Sequence, residues 1–266
     1  MVRPTENPIP RHIHQIWLGK NPRPEEWMDS VREFADKYAY KYTLWTDAKV
    51  KPLVAGASAD IPGFKALYAS FKDELAGRAD LIRKLVLLRE GGVYIDADCV
   101  VLKPAKFARF LDDNRASVFF GWENLPAART RKLGRLDPQI AREKRMVANS
   151  IIGAVPEHPF MRALLDGLNA NARAEAGKQA WRCVGPLYVT RIYHKLKSAH
   201  PDVHVYPMRY FYPRHWGGIT DPELHKKVKI PGESMLFQYG YSTNKFAKIF
   251  AERARARARA TRKRRA

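Results

Sequence analysis

At 266 residues, with 45% hydrophobic and 11% aromatic side chains, the chain can bury one good core and is expected to form one elaborated domain rather than a disordered polymer. The formal charge of +21 favours polyanions (nucleotide sugars, anionic lipid surfaces or nucleic acid) without choosing among them. No apolar run approaches the roughly 20 residues of a transmembrane helix, the first residues lack the apolar core of a signal peptide, and Cys99 and Cys183 are too few for a disulfide framework, so the expectation is a soluble protein, cytoplasmic or peripheral at a membrane.

Ile13 to Gly19 reads as a buried first strand closed by glycine. Pro22 and Pro24 start a helix whose apolar residues Trp27, Val31, Phe34 and Tyr38 recur at helical spacing. Tyr40 to Trp45 is a second strand, Thr46-Asp47 can cap a short helix, and Pro62 opens another around Phe64, Leu67 and Phe71. Leu81, Ile82, Leu85, Val86 and Leu88 form the core face of a helix that stops at Gly91-Gly92. A short apolar strand, Val93 to Ile95, then runs into Asp96-Ala97-Asp98.

Beyond it, Val100 to Leu102 continues extended, Ser117 to Gly121 and Asn149 to Val155 read as strands, and residues 122–146 read as an inserted basic loop. Pro159 to Ala174 is helical, Gly185-Pro186 opens a helix through Leu196, and short strands are expected near Val203–Tyr206 and Tyr210–Tyr212. Strand–helix alternation in the first hundred residues argues an α/β fold with a mainly parallel sheet flanked by helices. Residues 1–250 form the expected domain. Residues 251–266 are an Arg/Ala-rich tail, expected to be disordered for want of an apolar face. From Arg253 the tail holds seven Arg and one Lys and no acid, which leaves +13 of the +21 on the rest of the chain.

The chemistry concentrates around the Asp pair. Open α/β sheets place ligands outside the carboxyl ends of their strands. Two oxygen ligands two residues apart at that mouth suit a divalent cation carrying phosphates. Asp80 and Arg83, three apart, share one face of the preceding helix. Read blandly, they are a surface ion pair of little worth; read functionally, they are a charged couple that grips hydroxyls.

The set His14-Gln15-Ile16-Trp17, Leu44-Trp45-Thr46-Asp47, Ala79-Asp80-Leu81-Ile82-Arg83, Gly91-Gly92-Val93-Tyr94-Ile95-Asp96-Ala97-Asp98 and Asn149-Ser150-Ile151-Ile152-Gly153 resembles the DXD-containing sugar-transferase family, glycosyltransferase family 32. That family includes initiating α-1,6-mannosyltransferases, α-1,4-glycosyltransferases and capsule enzymes, and is distantly similar to the glucosylating domains of clostridial toxins. The resemblance spans roughly residues 9 to 190. It implies a GT-A fold, a UDP- or GDP-sugar donor, Mn²⁺ or Mg²⁺, a glycan, glycolipid or protein-linked acceptor, and transfer of a hexose with retention of configuration. By the same resemblance Trp17 would stack on the nucleotide base and Tyr94 would line the donor pocket. Asp80 and Arg83 would meet the donor sugar, and Asn149 the donor sugar or the acceptor. Asp96 would contact ribose or sugar and the metal's shell, and Asp98 would ligate the metal.

One segment departs from the family. Where many relatives carry a His-His-Trp…Ser-Trp type ending, this chain reads Phe237-Gln238-Tyr239-Gly240-Tyr241-Ser242-Thr243. Ser242, Gln238 or the upstream His215 are the candidates to complete the metal site. Two other readings compete: a basic protein that binds nucleic acid or membrane through its tail, and a glycoside hydrolase with flanking carboxylates.

Overall fold

A computed structural model describes residues 8–265. β1 (His12–Ile16) is buried along its whole length because sheet neighbours flank it on both sides. It pairs in parallel with β2 (Lys41–Trp45) and with β3 (Gly92–Ile95). β6 (Val147–Ala154) runs antiparallel to both β3 and β5 (Val118–Trp122), and β7 (Val203–Tyr206) is parallel to β5. The six-stranded order is β2-β1-β3-β6-β5-β7, and β4 (Cys99–Val101) pairs with β8 (Leu236–Gln238) in a separate antiparallel ribbon. Only β6 opposes the other five strands, so the sheet is mixed and mainly parallel as expected.

Alternation along the strands splits the core into two layers. Tyr94, Phe120 and Ile152 point to the face covered by α2 (Asp47–Asp60), α3 (Phe64–Ser70) and α4 (Leu75–Glu90), with α8 (Pro159–Asp166) and α11 (Pro186–Leu196). Val93, Ile95, Phe119 and Ile151 point to the face covered by α1 (Glu25–Lys37), α5 (Pro104–Asp113) and α12 (Met208–Phe211). From Asp80 to Leu88 every residue of α4 is buried, because this helix lies between the sheet and α2, α3, α8 and α10 (Ala180–Cys183). It therefore carries buried polar groups that a surface helix would expose.

The α4–β3 junction needs its glycines. Gly91 ends the helix at φ +62°, and a side chain on Gly92, at φ +92°, would lie 2.4 Å from the His12 carbonyl oxygen. That close approach lets β3 lie beside β1 and delivers Asp96 to the sheet mouth.

Three expectations change. Residues 122–146 are not an irregular loop: α6 (Ala127–Gly134) and α7 (Pro138–Glu143) fold there, the second capped by Asp137 accepting from the Gln139 and Ile140 amides. Tyr210–Tyr212 is not a strand: Pro207 precedes the single turn α12. The tail is not without order: after α9 (Leu168–Ala174) and α13 (Leu224–Lys227), the last helix α14 runs Ala247–Arg265. Phe246 and Phe250 seat its start against Trp27, and Arg253 pairs with Glu26 of α1. The apolar anchor lies N-terminal to the Arg/Ala repeat, and helix propensity carries the rest.

Candidate active site

Each predicted site residue except His215 meets at the carboxyl end of the sheet. Trp17 follows β1, Asp96 follows β3, Asp98 sits in the turn before β4, and Asn149 lies at the adjacent end of antiparallel β6. Arg83 is the hub. Its Nη1 lies 3.0 Å from Asp96 Oδ1 and 2.5 Å from the Asn149 carbonyl oxygen, and its Nη2 lies 3.2 Å from Asp80 Oδ1. The guanidinium also stacks over the Tyr94 ring at 4.4 Å. Asn149 Nδ2 donates to Asp80 Oδ1 at 2.7 Å, and the Tyr94 hydroxyl donates to Asp96 Oδ1 at 2.5 Å.

Asp80, Arg83 and Tyr94 are buried, and Asp96 and Asp98 are half-buried. Burial pushes the Asp96 carboxyl up to about 7, with Arg83 pulling it back. Burial also raises Asp98, opposed by its hydrogen bond from the Tyr241 amide and by Arg83. Burial alone would lower Arg83, but Asp96, Tyr94 and Asp80 hold it charged and move it above the usual guanidinium value.

Asp98 is the incomplete member. Its Oδ2 accepts from the Tyr241 amide at 2.7 Å and its carbonyl from the Tyr239 amide at 3.0 Å, while Oδ1 is buried with no hydrogen-bond partner among the described residues. Buried oxygens are ordinarily paired. One orphaned carboxylate oxygen beside Asp96 fits a divalent cation that takes one or two carboxylates and completes its shell with phosphate and water.

A cleft in two joined compartments opens over these groups. The smaller, of about 170 Å³, is lined by Trp17, Tyr94, Ala97 and Tyr241. The larger, of about 710 Å³, is lined by Asp80, Asn149, Glu123, Arg129, Trp181 and Trp216. Arg83, Asp96, Asp98 and Ser242 line both and so mark the junction. The combined size suits a ligand larger than a metabolite fragment. Ser242 reaches the junction, and Gln238 Nε2 donates to Asp96 Oδ2 at 3.3 Å. His215 lines neither compartment; its Nδ1 accepts from the Gly217 amide, and its ring stacks on Trp216.

Two charged groups, buried Lys84 and half-buried Glu123, carry no motif signal. Lys84 Nζ donates to the Asp80 and Val184 carbonyls at 2.8 and 2.7 Å, and burial lowers its pKa to about 8. It ties the middle of α4 to the residue before Gly185, where a side chain would come within 2.8 Å of Asp80 Oδ2. A lone lysine inside the apolar run Leu81–Leu88 was the available signal. Glu123, directly after β5, is the other.

The mixed sheet with an Asp-X-Asp turn at its mouth defines the class as a GT-A-type α/β protein. The sequence profile described as the glycosyltransferase sugar-binding region containing DXD motif matches residues 24–116, the stretch that carries Asp80, Arg83 and the Asp96-Ala97-Asp98 turn. The chain is 36% identical over 91 residues, 34% of its length and 24% of the relative's, to inositol phosphoceramide mannosyltransferase 3 of Schizosaccharomyces pombe. It is 28% identical over 202 residues, 73% of its length and 49% of the relative's, to inositol phosphoceramide mannosyltransferase 2 of the same organism. The chain thus spans between about a quarter and a half of these curated relatives. Among solved structures, a PaToxG glycosyltransferase shares the fold at a TM-score of 0.51 and 19% identity, over 73% of this chain and 71% of that one. No helix among the described residues is long and apolar enough to cross a membrane.

Proposed function

We propose that this chain is a metal-dependent, retaining hexosyltransferase that moves a sugar from a nucleoside-diphosphate donor to a hydroxyl of a glycan or glycolipid. The observation that carries the reading is the Asp80–Arg83–Asp96 network placed beside the orphaned Asp98 oxygen at the junction of the cleft. The mannosyltransferase names of the relatives make mannose the first donor sugar to test and an inositol-phosphate head group the first acceptor.

In this reading Trp17 offers its ring to the nucleotide base in the smaller compartment, edge-on to Tyr241 at 5.0 Å. Asp80 and Arg83 receive the donor sugar's hydroxyls, and Asn149, through its bond to Asp80, fixes how that carboxylate points. Tyr94 positions Asp96 through its hydroxyl and Arg83 through its ring face. Mn²⁺ or Mg²⁺, held by Asp98 and Asp96, supplies positive charge where the diphosphate leaves. Ser242, carried by the segment that bonds Asp98, closes over the junction. The preformed arrangement keeps the charged side chains fixed, so little reorganisation accompanies bond breaking.

Release of nucleoside diphosphate tests this directly. A panel of UDP- and GDP-sugars, GDP-mannose first, is incubated with the protein and Mn²⁺. Release from one donor, abolished by EDTA, is expected; EDTA-insensitive cleavage would instead favour a hydrolase, and no release from any donor would refute the reading.

A further inference from the structure

Glu123 is a carboxylate that none of the donor-side roles uses. It follows the last residue of β5, and its amide donates to the Met146 carbonyl at 2.9 Å, which anchors it beside the start of β6. Its Oε1 accepts from the Trp216 indole N–H at 3.1 Å. No cation lies within ion-pair distance of it among the described residues, in contrast to Asp80 and Asp96, both held by Arg83. The facing charged or titratable groups are Arg129 from α6 and Tyr212 after α12, whose carbonyl accepts from Asn124 Nδ2 at 3.1 Å.

Position within the cleft separates Glu123 from the nucleotide end of the donor site and places it with Asp80 and Asn149, where the sugar is received. The smaller compartment holds Trp17 and Tyr94; Glu123 lines only the larger one, with Arg129, Trp181 and Trp216. The junction carries Asp96, Asp98 and Arg83, so a donor laid from Trp17 across the junction presents its sugar to the larger compartment. Whatever attacks that sugar shares the compartment with Glu123.

Resting on the proposed retaining-transferase reading, we infer that Glu123 is the acceptor-side base of this site, taking the proton from the acceptor hydroxyl, or from water, as that oxygen attacks the anomeric carbon from the same face the diphosphate leaves, as retention in one step requires. The new bond joins acceptor oxygen to the anomeric carbon. The bond from that carbon to the phosphate oxygen breaks with its electron pair on the nucleoside diphosphate. The proton sits on Glu123 and leaves to solvent as the products depart. Trp216 holds one carboxylate oxygen and leaves the other to meet the hydroxyl. Burial pushes the carboxyl up to about 7, against the Trp216 hydrogen bond and Arg129, which places its titration where a base near neutral pH works best.

The probe reaction is donor hydrolysis with water as acceptor, using the donor that the panel identifies. Glu123→Gln keeps an oxygen for the Trp216 N–H, so the wall stays intact. It is expected to bind Mn²⁺ and donor with an unchanged thermal shift, to slow diphosphate release by about 10²-fold or more, and to lose the acidic limb of the pH–rate profile near 7. Glu123→Ala is expected to regain part of its rate in sodium formate. Turnover of Glu123→Gln within about threefold of wild type overturns the inference, as does loss of donor binding in step with turnover, which marks a structural residue. Absence of any donor shift in the wild-type protein refutes the donor reading itself and the inference with it.

Discussion

At the amino end of β1 and β3 two histidines are buried, and at the carboxyl end Asp80 and Arg83 are buried with Asp96 and Asp98 half-buried beside them. His14 Nε2 donates to the Gly91 carbonyl at 2.9 Å and its Nδ1 accepts from Trp45 Nε1 at 3.2 Å; His12 lies between Thr43 Oγ1 at 2.9 Å and Glu90 at 3.5 Å. Burial drives both rings towards the neutral form, to about 4 for His12 and about 3 for His14. Every ring nitrogen has a partner and no charge is stored. At the other end Arg83 pairs with both Asp80 and Asp96, and one Asp98 oxygen is unpaired among the described residues. Buried polar groups that are neutral and satisfied hold a fold together; those that are charged and one bond short are held open for a ligand.

Paired substitutions are the sharpest way to break this contrast. Asp98→Asn keeps an oxygen for the Tyr241 amide and loses the charge. It is expected to cut diphosphate release by about 10³-fold, a loss typical of removing a preorganised charge contact, while the melting temperature stays within a few degrees. His14→Ala orphans the Gly91 carbonyl and the Trp45 N–H, at a cost of about 2–3 kcal/mol. Its melting temperature should fall by about 5–10 °C in a chain of this size, with turnover per folded molecule changed less than threefold. A large activity loss in His14→Ala at full folding would erase the distinction.

Acid provides a smaller and graded test. Both histidine pKa values are lower folded than unfolded, so between the unfolded value of about 6.5 and about 3 the unfolded chain binds more protons. The stability supplied by the neutral pair is complete above about pH 6.5 and is lost as pH falls through that window. Chemical denaturation at stepped pH should show the decline in wild type and a shallower one in His14→Ala.

Much of this contrast was legible in the residues, unevenly. β1 to β3, the α4 core face and the Asp96-Ala97-Asp98 turn follow local rules: periodic apolar residues, a glycine stop, then acids at the strand end. Arg83 and Asp80 were readable as neighbours on one helix face. Their joint contact with Asp96 and Asn149 was not, because it depends on β6 lying antiparallel beside β3. α6 and α7 escaped because they are short and basic and fold against Leu187 and Trp181, far along the chain. α14 was missed because its apolar anchor, Phe246 and Phe250, lies before the charged repeat. Glu123 carried no spacing signal; its meaning comes from Trp216, ninety-three residues away.

The central claim is that the orphaned Asp98 oxygen and its neighbours hold a metal–diphosphate. Calorimetric titration of UDP and GDP into the protein, with Mn²⁺ or with EDTA, measures this without any acceptor. Binding of one diphosphate in Mn²⁺, abolished by EDTA and by Asp98→Asn but retained in His14→Ala, is the predicted result. Equal binding in EDTA, or in Asp98→Asn with Mn²⁺, would contradict it.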